Sequence, residues 1–145
     1  MASTVEQAKR LATRAHEGQT DKSGAPYIGH PSRVAARVAK ALGADHDAVA
    51  VAWLHDVVED TPVTASQINT QFGPVIAAAV QAITHPKGEA RADYYARVKA
   101  NALALAVKAA DIADNTDPAR VALLDAPTRE RLAKKYSEAR AALGV

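Results

Sequence analysis

Residues 48–54, AVAVAWL, offer no polar side chain on any face of a helix, and the run stops at His55-Asp56. A helix that is apolar all round has to be covered on every side. This segment therefore belongs at the centre of the fold, and the rest of the chain must wrap it. Alanine supplies about a quarter of the residues and aromatics only 4%, so the wrapping elements are expected to be helices in close contact through small side chains. Few stretches alternate β-branched and aromatic residues with polar ones as strands do. The expected fold class is all-α, in a single domain covering residues 1–145, a length that buries a sizeable core.

Start and stop signals divide the chain into helices. A first helix is expected after Ser3 or Thr4, ending at Gly18, and residues 18–29 read as a loop rich in glycine. Pro31 opens a second helix that stops at Gly43. Asp45 can cap the third, central helix, and Pro62 prevents its continuation. Thr64 and Gln67 form a capping-box pattern. Gly73-Pro74 separates the next helix, which reaches about residue 84. Helical stretches near 90–100, 102–114 and 128–143 complete the chain, with no internal repeat or linker.

Composition excludes several classes of function. Lys plus Arg number 18 against 16 Asp plus Glu, too even a balance to make the strong field that nucleic acid or an anionic membrane demands. Without cysteine there is neither a disulfide framework nor a thiolate metal site. No secretory h-region or membrane-length apolar run is present, so a cytoplasmic location is expected.

The segment HDVVED, residues 55–60, follows the apolar run directly. On a continuous helix His55, Asp56 and Glu59 share a face. Three carboxylates at a helix C-terminus oppose the dipole and repel one another, a penalty that a divalent cation reverses. An exposed acidic turn is the alternative. In VKAADIADN, residues 107–115, Lys108, Asp111 and Asn115 form one polar stripe on an alanine-rich helix; a solvated face with a Lys–Asp pair is the alternative there. His30, between Gly29 and Pro31, is a third element; taken alone, a His before Pro is usually a loop or capping residue.

Taken in order, a His, a His-Asp pair and a distant helical Asp make the chain resemble the HD superfamily of phosphohydrolases. The resemblance is closest to the guanosine polyphosphate hydrolase branch. It is carried by HEGQTDKSGAPYIGHP (16–31), HDVVED (55–60) and VKAADIADN (107–115), and it spans about residues 5–140. It implies a single HD-type helical bundle comprising the hydrolase domain alone. It further implies a metal-dependent enzyme that removes pyrophosphate from the 3′ position of guanosine tetra- or pentaphosphate. His30, His55, Asp56 and Asp111 would ligate one divalent ion, manganese by family habit and by donor chemistry. Glu59 and Asp60 would be the catalytic acid pair. Lys22, Ser23 and Asn115 would contact the nucleotide, with Lys108 neutralising phosphate charge. His16 is read as structural, and His46 and His85 as surface residues.

Two features depart from the branch. Asp21 stands where the long bifunctional enzymes have an Arg that holds the base, and Thr116-Asp117-Pro118 replaces an Arg and a Thr near the guanine. An HD enzyme acting on another nucleotide or dinucleotide is therefore the rival reading, with Lys87, Arg91, Arg97 or Lys99 of residues 87–101 as further phosphate contacts. A catalytically idle nucleotide sensor would require a broken ligand set or a lost Glu59-Asp60 pair, and neither is seen. Oligomeric state is not legible.

Overall fold

A computed structural model describes residues 2–145. Ten helices follow one another: α1 Thr4–Ala15, α2 Gly29–Leu42, α3 Asp47–Leu54, α4 Val57–Asp60, α5 Ala65–Phe72, α6 Pro74–Ile83, α7 Arg91–Lys99, α8 Ala102–Asn115, α9 Pro118–Val121 and α10 Ala126–Leu143. Among the described residues there is no strand, only a single bridge between Thr20 and Pro26. The all-α expectation is met. Among the described residues no helix is long and apolar enough to cross a membrane.

The core is arranged around α3, whose residues 48–54 are all buried. It packs against α1, α2, α6 and α8. Small side chains permit the close approach: Ala8 and Ala12 of α1, Ala48, Ala50 and Ala52 of α3, Ala79 of α6 and Ala104 of α8 are fully enclosed. Local chemistry sets the boundaries. Ser3 and Glu6 make a reciprocal capping box at α1, and Thr64 and Gln67 make one at α5.

Four boundaries differ from expectation, each for a local reason. The cap of α3 is His46, whose side chain accepts from the Ala48 N–H, rather than Asp45. Helix α2 begins at Gly29, so His30 lies in its first turn and Pro31 sits where no N–H is needed. HDVVED is not continuous helix: Asp56 adopts φ −107°, ψ 0°, the bridge region. The chain turns there and restarts as α4. Finally, Asp117 caps a short helix, α9, with Pro118 at its start, which the turn-like content of residues 116–118 conceals.

Candidate metal centre

The turn after α3 is what assembles the site. His55 remains at the buried end of the apolar helix, 3% exposed. The kink at Asp56 swings the next carboxylates round to meet it. His55, His30 from α2 and Asp56 offer ligand atoms within 4.8 Å of one another, as do Asp56, Glu59 and Asp60. Asp111 of α8 closes the group, its Oδ1 lying 2.8 Å from His30 Nε2 and 3.4 Å from His55 Nε2. The two clusters share Asp56. All four residues expected as ligands thus converge, although a continuous helix does not carry them.

The donor set fits a divalent cation. His55 Nδ1–H donates to the Ala52 carbonyl at 2.6 Å, so in the neutral ring Nε2 carries the lone pair. That Nε2 is buried and has no hydrogen-bond partner, while Asp56 Oδ2 lies 3.1 Å away. A lone pair facing carboxylate oxygens is repulsive unless a proton or a cation lies between them. His30 is held the same way: Nδ1–H donates to Asp114 Oδ2 at 2.7 Å, leaving Nε2 for the centre. Asp114 is itself fixed by Arg33 Nε at 2.9 Å and Arg120 Nη1 at 2.8 Å. A carboxylate orienting a ligating imidazole is a common support for a metal.

Electrostatics points the same way. Burial works against a charged His55, yet Asp56 and Asp111 hold its pKa well above the usual histidine value. His30 is likewise raised against burial by Asp111 and Asp114. Burial opposes the charge of Asp56, but the His55 ring brings its pKa down to about 2. Burial also opposes that of Asp111, and the Lys108 ammonium keeps it well below the carboxylate range. Asp60 moves in the other direction: burial and the charges of Asp56 and Glu59 push it up to about 6.

The α8 stripe is no solvated face. Lys108 Nζ donates to Asp111 Oδ2 at 3.1 Å and Asn115 Nδ2 to Asp111 Oδ1 at 3.2 Å, with Asp111 6% exposed. His85 is not a plain surface residue: its ring stacks on Tyr94, 4.4 Å between centroids, and its backbone N–H donates to Glu59 Oε1 at 2.7 Å. His46 is exposed, as expected. His16 is structural, its Nδ1–H donating to Gln19 Oε1 while Gln19 Nε2 donates to the Asp60 carbonyl.

A cavity of about 450 Å³ opens over this cluster, reaching His30, Asp56, Glu59, Asp60 and Asp111. Lys22, Ser23, Lys108 and Asn115, expected to contact substrate, all line it, and Val121, Leu123, Leu124 and Leu132 supply an apolar part of its lining. Ser23 Oγ is committed to Asp21 Oδ1 at 2.7 Å. Asp21 Oδ1 also accepts from the Ser23 and Ala25 N–H groups, so it shapes the loop, and its Oδ2 lies 3.7 Å from Arg120 Nη2.

Several contributors are not among the residues singled out from the sequence. Tyr27 donates its hydroxyl to Asp56 Oδ2, and Arg120 and Lys135 line the cavity from α9 and α10. Asp114 had one visible signal, its i+3 spacing from Asp111. Arg120 and Lys135 had none, because their approach depends on how the last helices fold back.

Comparison with known proteins agrees with this architecture. A guanosine-3′,5′-bis(diphosphate) 3′-pyrophosphohydrolase of Haemophilus influenzae is 49% identical over 74 residues, 51% of this chain and 11% of that protein. A GTP pyrophosphokinase of Streptomyces coelicolor is 40% identical over 80 residues, 55% of this chain and 9% of that protein. The chain thus spans about a tenth of the length of these relatives. A solved chain described as a metazoan ortholog of SpoT that hydrolyzes ppGpp superposes with a TM-score of 0.81 at 22% identity, over 99% of this chain and 86% of that one; this shows a shared fold. The HD domain pattern itself matches residues 8–113, a span that holds His30, His55, Asp56 and Asp111 and implies a divalent metal. The chain belongs to the HD domain family.

Proposed function

We propose that this protein is a metal-dependent phosphohydrolase that removes pyrophosphate from the 3′ position of guanosine tetra- or pentaphosphate. One observation carries the reading: the His–Asp donor cluster and the Glu59-Asp60 pair form the floor of one cavity with cationic walls and an apolar part. The names of the similar proteins favour the guanosine substrate.

His30, His55, Asp56 and Asp111 would hold the ion, and two imidazoles with two carboxylates suit manganese. When bound, such an ion polarises a phosphoryl oxygen and lowers the pKa of water. The rest falls to the chain's own groups. Lys22 and Lys108 neutralise phosphate oxygens, and Asn115 and the apolar lining orient the nucleoside. Glu59, pinned by the His85 N–H, orients the attacking water. Asp60 exchanges protons near neutrality. The water oxygen bonds to the phosphorus on the ribose 3′ oxygen, and the 3′ O–P bond breaks with its electron pair on that oxygen. A proton from the water passes through the acid pair to the same oxygen, giving a 3′ hydroxyl and pyrophosphate.

A second reading, hydrolysis of another nucleotide by the same centre, is favoured by Asp21. In place of a base-holding Arg, this wall carries an acid paired with Arg120. Purified protein with manganese should release pyrophosphate from guanosine tetraphosphate. Turnover of another nucleotide without it would favour the second reading, and turnover of none would overturn both.

A further inference from the structure

A second cavity adjoins the first. It holds about 190 Å³ and is lined among others by Asp56, Glu59, His85, Arg91, Lys108 and Lys135. Asp56, Glu59, Lys108 and Lys135 also line the large cavity, so the two chambers meet at the donor cluster. Their contents differ. The large one has an apolar part and room for a nucleoside; the small one has room for about six waters at about 30 Å³ each, too little for a purine nucleoside and enough for a phosphate or diphosphate group.

The small chamber is rich in cations that are not fully spent elsewhere. Lys135 makes no ion pair among the described residues; burial and the charges of Lys108, Lys22 and Arg91 act against its ammonium, with Asp111 opposing them. Arg91 reaches Glu138 at only 3.9 Å, with both side chains more than half exposed. Lys108 is already paired with Asp111, and Asp56 and Glu59 share the chamber; Lys135 has no such partner, and an anion between it and Arg91 relieves the repulsion between neighbouring cations. Of the four basic residues in 87–101, only Arg91 lines the chamber. Arg97, by contrast, is consumed by Glu89 and by the Ala82 and Thr84 carbonyls.

We infer that the site is divided: the nucleoside occupies the large chamber, and the small chamber, with Arg91 and Lys135 as its anion contacts, receives the pyrophosphate that leaves. The scissile bond then lies at the wall the chambers share, over Asp56 and Glu59. This rests on the proposed reaction for the identity of the anion.

A crossed titration tests it. Binding of inorganic pyrophosphate and of guanosine 5′-diphosphate is measured by calorimetry on the manganese-loaded protein. Arg91 lines only the small chamber, Lys22 only the large one, and Lys135 both. Arg91→Ala should weaken pyrophosphate about tenfold, the loss of one charge-assisted contact, and leave the nucleotide within about threefold. Lys22→Ala should do the reverse, Lys135→Ala should weaken both, and Lys87→Ala, an exposed charge lining neither, should change neither. Unchanged pyrophosphate binding in Arg91→Ala, the same pattern in Arg91→Ala and Lys22→Ala, or wild-type protein that does not bind pyrophosphate would each overturn the division. A crossed pattern in protein that leaves guanosine tetraphosphate uncleaved would keep the chambers and discard the substrate.

Discussion

The floor and the rim of the large cavity are built on different principles. The floor, His30, Asp56 and Asp111 with His55 beside them, comes from α2, the end of α3 and α8, and its imidazoles and Asp111 are buried. Each is positioned by packing that would exist without any ligand. The rim, Asp21, Lys22, Ser23 and Arg120, comes from a loop and a four-residue helix, α9, and Asp21 ties it together through Ser23 and Arg120. A rigid floor can keep one chemistry while an exposed rim changes what is admitted. The difference predicts that floor mutations alter metal content and turnover together, whereas rim mutations alter substrate preference at constant metal content.

The largest effect is expected at Asp111. Asp111→Asn keeps a partner for Lys108 while removing the charge that faces both imidazoles. It should reduce turnover by at least about a hundredfold and lower bound metal, with helix content by circular dichroism unchanged. Normal metal content and activity would break the comparison at its floor.

The metal affinity should also depend steeply on pH. Ligation requires neutral imidazoles, and both His30 and His55 are held above the usual histidine pKa. Affinity should therefore be lowest at and below about pH 6.5. It should climb as pH rises through the raised values, by up to about tenfold per pH unit for each proton displaced. The metal-free protein should show the opposite slope. A raised folded pKa contributes stability that is fully present below the unfolded value and lost as pH rises through the folded one. Denaturant melts of both forms across pH 6 to 9 would show it, and parallel slopes would contradict it.

Asp114 tests whether the floor has a second layer. Its buried carboxylate joins His30, Arg33 and Arg120. Asp114→Ala leaves His30 Nδ1 without its acceptor and should weaken metal binding about 10- to 100-fold. It should also cost roughly 3 kcal/mol of stability, the lower end for a broken buried pair because Arg33 and Arg120 reach water. A stability loss with intact metal affinity would make Asp114 a structural residue only.

The same contrast explains what could be read from the chain. The all-apolar run of residues 48–54 demanded a central helix, and its abrupt end at His55-Asp56 marked the floor, because burial leaves a periodic imprint on sequence. The kink at Asp56 left no such imprint; it follows from accommodating His55 in the core and the acidic residues outside it. The rim was less legible. Asp21 signalled a departure from the family pattern, but its reach toward Arg120 spans 99 positions, from the loop to α9. Pairings between a loop and a short helix follow no periodicity. Arg91 could be named only as one of four basic residues in 87–101 and Lys135 not at all, since their meeting depends on how α10 and α7 pack.

Asp21 offers the smallest and most selective perturbation. Its Oδ1 accepts from two backbone N–H groups and one hydroxyl, and its charge lies beside Arg120. Asn in its place retains an acceptor for the loop and removes only the charge. Asp21→Asn should therefore shift stability by less than about 1 kcal/mol. With one negative charge removed from the rim and Arg120 released toward the cavity, KM for a nucleoside polyphosphate should fall about two- to fivefold, the scale of one screened charge interaction. Metal affinity should stay within about twofold, because Arg120 keeps its second anchor on Asp114. Steady-state kinetics at saturating manganese beside a metal titration reads both quantities. A rise in KM would mean that the acid contacts the nucleotide favourably and belongs to recognition. A change in metal affinity as large as that in KM would mean that rim and floor are one coupled unit, and the division between them would not hold.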